Sequence, residues 1–171
     1  MMHLNLFSRG WRVAALIALG LTVAACAKGP ELGGIGGASA SGPATPGSAQ
    51  DFIVNVGDRI FFDTDSTDLS ATAIATLNRQ AEWLQRYPQI RIMIEGHADE
   101  RGTREYNISL GARRAANTRN YLIGRGVAAQ RMNVISYGKE RPVAVCNDIS
   151  CWSQNRRAQK ALNSGGQVSQ R

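Results

Sequence analysis

The sequence predicts an α/β sandwich of order βαβαβ, with two main helices packed on a small mixed sheet. Residues 70–87 repeat apolar side chains at helical spacing, and Ile90, Ile92 and Ile94 alternate with Arg91, Met93 and Glu95 at the period of a strand buried on one face. The connections between such segments are short, which forces each helix against the sheet it leaves.

From Phe52 onward the β-formers Ile53, Val54, Val56, Ile60, Phe61 and Phe62, interrupted at Gly57 and Asp58, predict a first strand with room for a short hairpin partner. Ser70 is placed to cap the first helix, in which Ile74, Leu77, Ala81 and Leu84 share a face, and Pro88 stops it. After the isoleucine strand, Thr103 is placed to cap a second helix ending near Gly124 to Gly126. Val127 to Tyr137 predicts a turn and a third strand, and Gly138 opens a long loop that reaches about Asn155. Right-handed crossovers would bring the loops Asp63–Asp68 and Gly96–Thr103 to one end of the sheet, where ligands of such folds bind. The segment Gln159-Lys160-Ala161-Leu162-Asn163 lacks β-branched residues and alternation, so the closing strand is expected to be short, frayed or replaced by a helical turn.

The 171 residues leave room for one domain of ordinary size, and a formal charge of +7 suits a polyanionic partner without choosing one. Arg9 and Arg12 precede the apolar run Val13 to Ala25, which is shorter than the roughly 20 residues a membrane span needs. Residues 1–25 therefore read as a signal peptide. Residues 26–51 read as Cys26 followed by a flexible linker, in which Ala27 to Gln50 is dominated by Gly, Ala, Ser and Pro and spans about 27 Å as a coil, because such a segment cannot pack a core. No strand precedes Gly34 and Gly36 and no helix follows them, which argues against a dinucleotide loop. The domain is expected over residues 52–163, with a disordered tail at 164–171.

Val23-Ala24-Ala25-Cys26 resembles the lipobox of bacterial lipoproteins, in which the thiol accepts a lipid before cleavage leaves it as the N-terminus. That likeness makes Cys26 the lipidation site, with several acyl chains for firm anchoring. Ala27 stands where an Asp would retain such proteins, which implies the outer membrane, with the domain facing the periplasm.

The densest polar run is Glu95-Gly96-His97-Ala98-Asp99-Glu100-Arg101-Gly102-Thr103, followed by Tyr106-Asn107 and by Leu110 to Ala115. With Phe62-Asp63-Thr64-Asp65 before it and Ser136-Tyr137-Gly138-Lys139-Glu140-Arg141-Pro142 after it, this run resembles the OmpA-like domain family, most closely its alphaproteobacterial peptidoglycan-associated lipoproteins. The likeness covers about Phe52 to Ala158. It implies an OmpA-like fold that binds peptidoglycan without altering it, using Asp99 and Arg114 on the diaminopimelate of the stem peptide. A carboxylate and a guanidinium fork suit that ligand, which carries an ammonium and carboxylates on one short chain. Without the resemblance, Asp99 reads as a loop residue and Arg114 as a solvated helix residue. Asp63, Thr103 and Asn107 follow as candidates for hydrogen bonds to the peptide, with turn-making and capping as equal alternatives. Arg101 reads as a rim charge. The resemblance further implies TolB and the Tol complex as partners and a part in cell division. An OmpA-like lipoprotein outside the Tol system and a wall-modifying enzyme are the other readings.

Other chemistries fit the residues less well. His97, Asp99 and Glu100 lack a second histidine or cysteine for zinc, and Asp63, Asp65 and Asp68 lack the Gly and Glu of a calcium loop, so neither metal nor cofactor is expected. His97 instead reads as a loop residue ordering its turn. Nucleic acid is not expected of an exported chain without a stacking platform. In an oxidising compartment, Cys146 and Cys151 read as a disulfide closing a small loop, with two free thiols as the alternative.

Overall fold

The computed structural model of the chain describes residues 44–163; the signal segment, Cys26, most of the linker and the tail lie outside the described residues. Four strands form one mixed sheet. They are β1 (Arg59–Phe61), β2 (Arg91–His97), β3 (Met132–Gly138) and β4 (Arg157–Asn163), in the order β1-β4-β2-β3. β2 and β3 are parallel, and β4 is antiparallel to both of its neighbours. The helices are α1 (Ala71–Arg86), α2 (Arg104–Gly124) and the short α3 (Ile149–Asn155).

The two long helices start where the sequence predicts. The Ser70 hydroxyl accepts from the Ala73 amide and the Thr103 hydroxyl from the Tyr106 amide, each satisfying an amide that the first turn leaves unpaired. α1 buries Ala73, Leu77, Ala81 and Leu84 along one stripe. The inward stripe of α2 mixes Leu110, Ala115 and Leu122 with the polar Asn107, Arg114 and Thr118. These stripes meet Ile60, Ile92, Ile94 and Ala158 of the sheet in one core. Burial of each large apolar side chain there contributes about 1.5 to 3 kcal/mol. α2 approaches β2 closely, because a Cβ added at Gly96 would run into the Gly111 carbonyl.

Three expectations are corrected. Phe52–Val56 is a π-helical turn rather than part of a strand, and β1 is confined to Arg59–Phe61. Tertiary contacts override the local β-propensity: Asp51 accepts from Trp83 Nε1 at 2.8 Å, and the Phe52 ring packs on Trp83 at 4.8 Å. The final strand forms in full and lies between β1 and β2. Ala158, Lys160 and Leu162 share its inward face, with Lys160 only 3% exposed, so the alternation was hidden by a buried lysine. The loop after Gly138 contains α3, capped by Asp148, whose carboxylate accepts from the Ser150 amide.

Cys146 and Cys151 form a disulfide, with Cα atoms 5.7 Å apart. The end of the segment read as linker is also structured, since Ala49–Asp51 is a helical turn capped by Ser48.

Candidate functional site

The strand directions determine where the site lies. β1 and β2 are each antiparallel to β4 and so run the same way, which brings the loops that follow them, and the start of β4, to one end of the sheet. A pocket of about 250 Å³ opens there, lined by Thr64 and Asp65 from the first loop, Asp99, Arg101 and Gly102 from the second, and Tyr106, Asn107, Leu110 and Arg114 from α2. The first loop is joined to α2 across the pocket by a hydrogen bond from the Tyr106 hydroxyl to Asp65, a residue held at φ 54°.

Asp99 is 7% exposed, and both of its oxygens are occupied. Oδ1 accepts from the Arg101 amide and Arg101 Nε, both at 3.1 Å; Oδ2 accepts from Arg101 Nη2 at 2.7 Å and Arg156 Nη1 at 3.4 Å. Burial pushes its carboxyl up, but the hydrogen bonds and charge of Arg101 outweigh this and hold it below the usual carboxylate range.

Arg114 is 0% exposed at the pocket floor. Its Nε donates to the Ser66 carbonyl at 2.8 Å, Nη1 to His97 at 2.9 Å and Nη2 to Asp63 at 3.0 Å. One side chain thus fastens the first site loop and the end of β2 to α2. Burial, followed by the nearby Arg156 charge, pushes its guanidinium down to about 10.

The other candidates fall in different places. Asn107 is buried and donates to the Arg101 carbonyl at 2.7 Å, fixing the loop backbone. Thr103 is exposed, caps α2 and does not line the pocket. The Asp63 side chain borders a separate hollow with Phe61, Phe62, Ser153 and Arg156, while its carbonyl receives Arg114. His97 is not a loop residue but ends β2, with its ring 1% exposed and its Nε2 3.6 Å from Glu95. Among the described residues no three of His, Cys, Asp and Glu gather as metal ligands.

Comparison with known proteins gives this geometry its family. A sequence model of the OmpA family matches residues 61–157. The peptidoglycan-associated lipoprotein of Rhizobium meliloti (strain 1021) is 62% identical over 158 residues, covering 90% of this chain and 89% of the relative. The chain belongs to the peptidoglycan-associated lipoproteins of the OmpA family. Another relative of that name, from Agrobacterium fabrum, is 64% identical over 151 residues, covering 86% of this chain and 85% of its own length. The crystal structure of the peptidoglycan-associated lipoprotein from Burkholderia pseudomallei aligns with a TM-score of 0.60 at 42% identity, over 61% of this chain and 89% of that one. The C-terminal domain of Helicobacter pylori MotB, 23% identical with a TM-score of 0.59 over 63% of this chain and 85% of that one, shares the fold.

For this OmpA-family chain, sequence reasoning missed two arginines. Arg101 is not a rim charge but a forked partner of Asp99, and its guanidinium lies 4.3 Å from the Trp152 ring centroid. Arg156 is 6% exposed and donates from Nε to the Phe62 carbonyl as well as reaching Asp99. The spacing of Asp99 and Arg101, two residues apart in one loop, is a signal for the first. The second contact joins residues 57 apart, which no local pattern reveals.

Proposed function

We propose that the domain binds peptidoglycan without altering it, through the diaminopimelate of the stem peptide. A lipid on Cys26 holds it to the outer membrane, so that membrane and wall are tied together. The observation that carries this reading is the meeting at one pocket of Asp99, from the loop after β2, and Arg114, from α2, at the end of the sheet where the loops after β1 and β2 come together. Diaminopimelate offers an ammonium for the carboxylate and a carboxylate for the guanidinium. Arg114 uses three of its five N–H groups on backbone carbonyls, leaving one on each terminal nitrogen for an acceptor that enters the pocket. Its lack of exposure means that pocket side chains part as the ligand seats. The relatives' shared name supports peptidoglycan as the target.

The finer reading places the protein in the Tol-Pal system, with TolB as partner and a role in envelope integrity and cell division. Cosedimentation with purified sacculi tests the wall contact. Wild type pellets, and folded Asp99→Ala stays in the supernatant; equal pelleting of both refutes the site. Retention of TolB on the immobilised protein tests the partner, and release of soluble muropeptides from sacculi would show an enzyme instead.

A further inference from the structure

Asp99 has no acceptor position to spare. A carboxylate offers about four lone-pair sites, and four donors occupy them here: the Arg101 amide, Arg101 Nε, Arg101 Nη2 and Arg156 Nη1. An incoming ammonium must displace at least one. The Arg101 amide belongs to a loop fixed from three sides: Asn107 donates to the Arg101 carbonyl, Lys139 Nζ donates to the carbonyls of Glu100 and Gly102, and Trp152 Nε1 donates to the Glu100 carboxylate. Arg156 is buried and tied to the end of β1 through the Phe62 carbonyl. Removing either would break backbone or buried contacts. The Arg101 side chain is different. It is 41% exposed, and besides Asp99 its guanidinium rests, among the described residues, only on the Trp152 ring. Its departure frees one site on each carboxylate oxygen at once and leaves the guanidinium to water.

We propose that the Arg101 guanidinium is a built-in occupant of the ammonium subsite on Asp99, holding the empty pocket neutral and leaving when a zwitterionic amino acid side chain binds. This rests on the reading of Asp99 as the ammonium acceptor. The device has a physical use. Without Arg101 the largely buried carboxylate would keep only the longer 3.4 Å contact to Arg156 as charge compensation, and a second internal counter-ion lowers that cost at the expense of affinity. It also selects ligands. A group that brings no cation cannot replace Arg101, so neutral and purely anionic peptides are turned away from Asp99.

The test is a calorimetric titration of the purified full-length protein, using L-alanyl-γ-D-glutamyl-meso-diaminopimelate and the same peptide acetylated on its side-chain ammonium. Arg101→Ala vacates both positions in advance and is expected to bind the free ammonium peptide roughly tenfold tighter than wild type does. It should gain nothing towards the acetylated peptide. Arg101→Gln, which keeps the stem but loses the charge, is expected to behave like Arg101→Ala. In wild type, Trp152 emission should change on binding as the guanidinium leaves the ring, a change absent from Trp152→Phe. Weaker binding by both Arg101 variants would make Arg101 a ligand contact and overturn the proposal. Equal binding, an equal gain for the acetylated peptide, or binding without any Trp152 response would also overturn it while leaving the Asp99 reading intact. If neither wild type nor variant binds the free peptide, the proposal and the reading beneath it fall together.

Discussion

Lys160→Met is expected to stabilise the domain, and the gain should depend on pH. Lys160 sits in the strand between β1 and β2, its side chain on the inward sheet face with Ala158 and Leu162, opposite Ile94. It is 3% exposed, and Nζ is buried without a hydrogen-bond partner among the described residues. Burial pushes its ammonium from 10.5 down to about 7, with the Asp58 charge pulling weakly the other way. The unfolded chain keeps the ordinary value, so between pH 7 and 10.5 the unfolded state binds the extra proton. Stability must therefore rise with pH across that window, and the full penalty is present below pH 7. The drop from 10.5 to about 7 amounts to at most about 5 kcal/mol at 1.36 kcal/mol per unit. Methionine fills a similar volume without a charge. Urea unfolding at pH 6.5, 8 and 9.5 is the assay. The variant should gain several kcal/mol at pH 6.5, and the difference from wild type should shrink steadily towards pH 9.5. A gain independent of pH, or no gain at pH 6.5, would refute the reasoning.

Arg114→Lys should cost stability as well as wall binding, since a lysine cannot donate to the Ser66, His97 and Asp63 carbonyls together; a loss of about 2 to 4 kcal/mol is expected in thermal melts. Loss of sacculus binding with an unchanged melt would show that Arg114 does not fasten the loops. The Cys146–Cys151 bond closes a small loop and so removes little denatured-state entropy; its reduction should cost about 2 kcal/mol or less, while loosening the turn that carries Trp152. Hydrogen exchange before and after reduction reads both effects. Cys26→Ser should abolish fatty-acid labelling, because a hydroxyl is not the nucleophile that lipid transfer uses; label retained at the wild-type level would sink the lipobox assignment.

Where the chain's signals are local, the sequence was legible. Ser70 and Thr103 sit at helix starts and cap them, and the alternation of Ile90 to Ile94 marks the strand that organises the sheet. Reading failed where distant contacts decide. Phe52–Val56 has the composition of a strand but winds into a turn because Asp51 and Phe52 dock on Trp83, more than 30 residues away. β4 was obscured because Lys160 occupies a core position and Arg157 is 3% exposed, so burial did not track polarity. At the site, the family resemblance pointed to Asp99 and Arg114, and the strand directions explain why the Asp99 loop meets the loop after β1 that Arg114 grips. The saturation of Asp99 by Arg101 and Arg156, and the grip of Arg114 on three backbone carbonyls, are properties of geometry that residue types alone do not carry.

The central claim is that the pocket reads both charges at the end of the diaminopimelate side chain. Comparing two stem tripeptides tests it most directly, one ending in meso-diaminopimelate and the other in lysine, which keeps the ammonium but lacks the neighbouring carboxylate. Leaving the Arg114 side of the pocket without its partner should weaken binding by at least about tenfold. Calorimetry is therefore predicted to give clear binding of the diaminopimelate peptide and at least tenfold weaker binding of the lysine peptide. Equal affinities for the two would contradict the account.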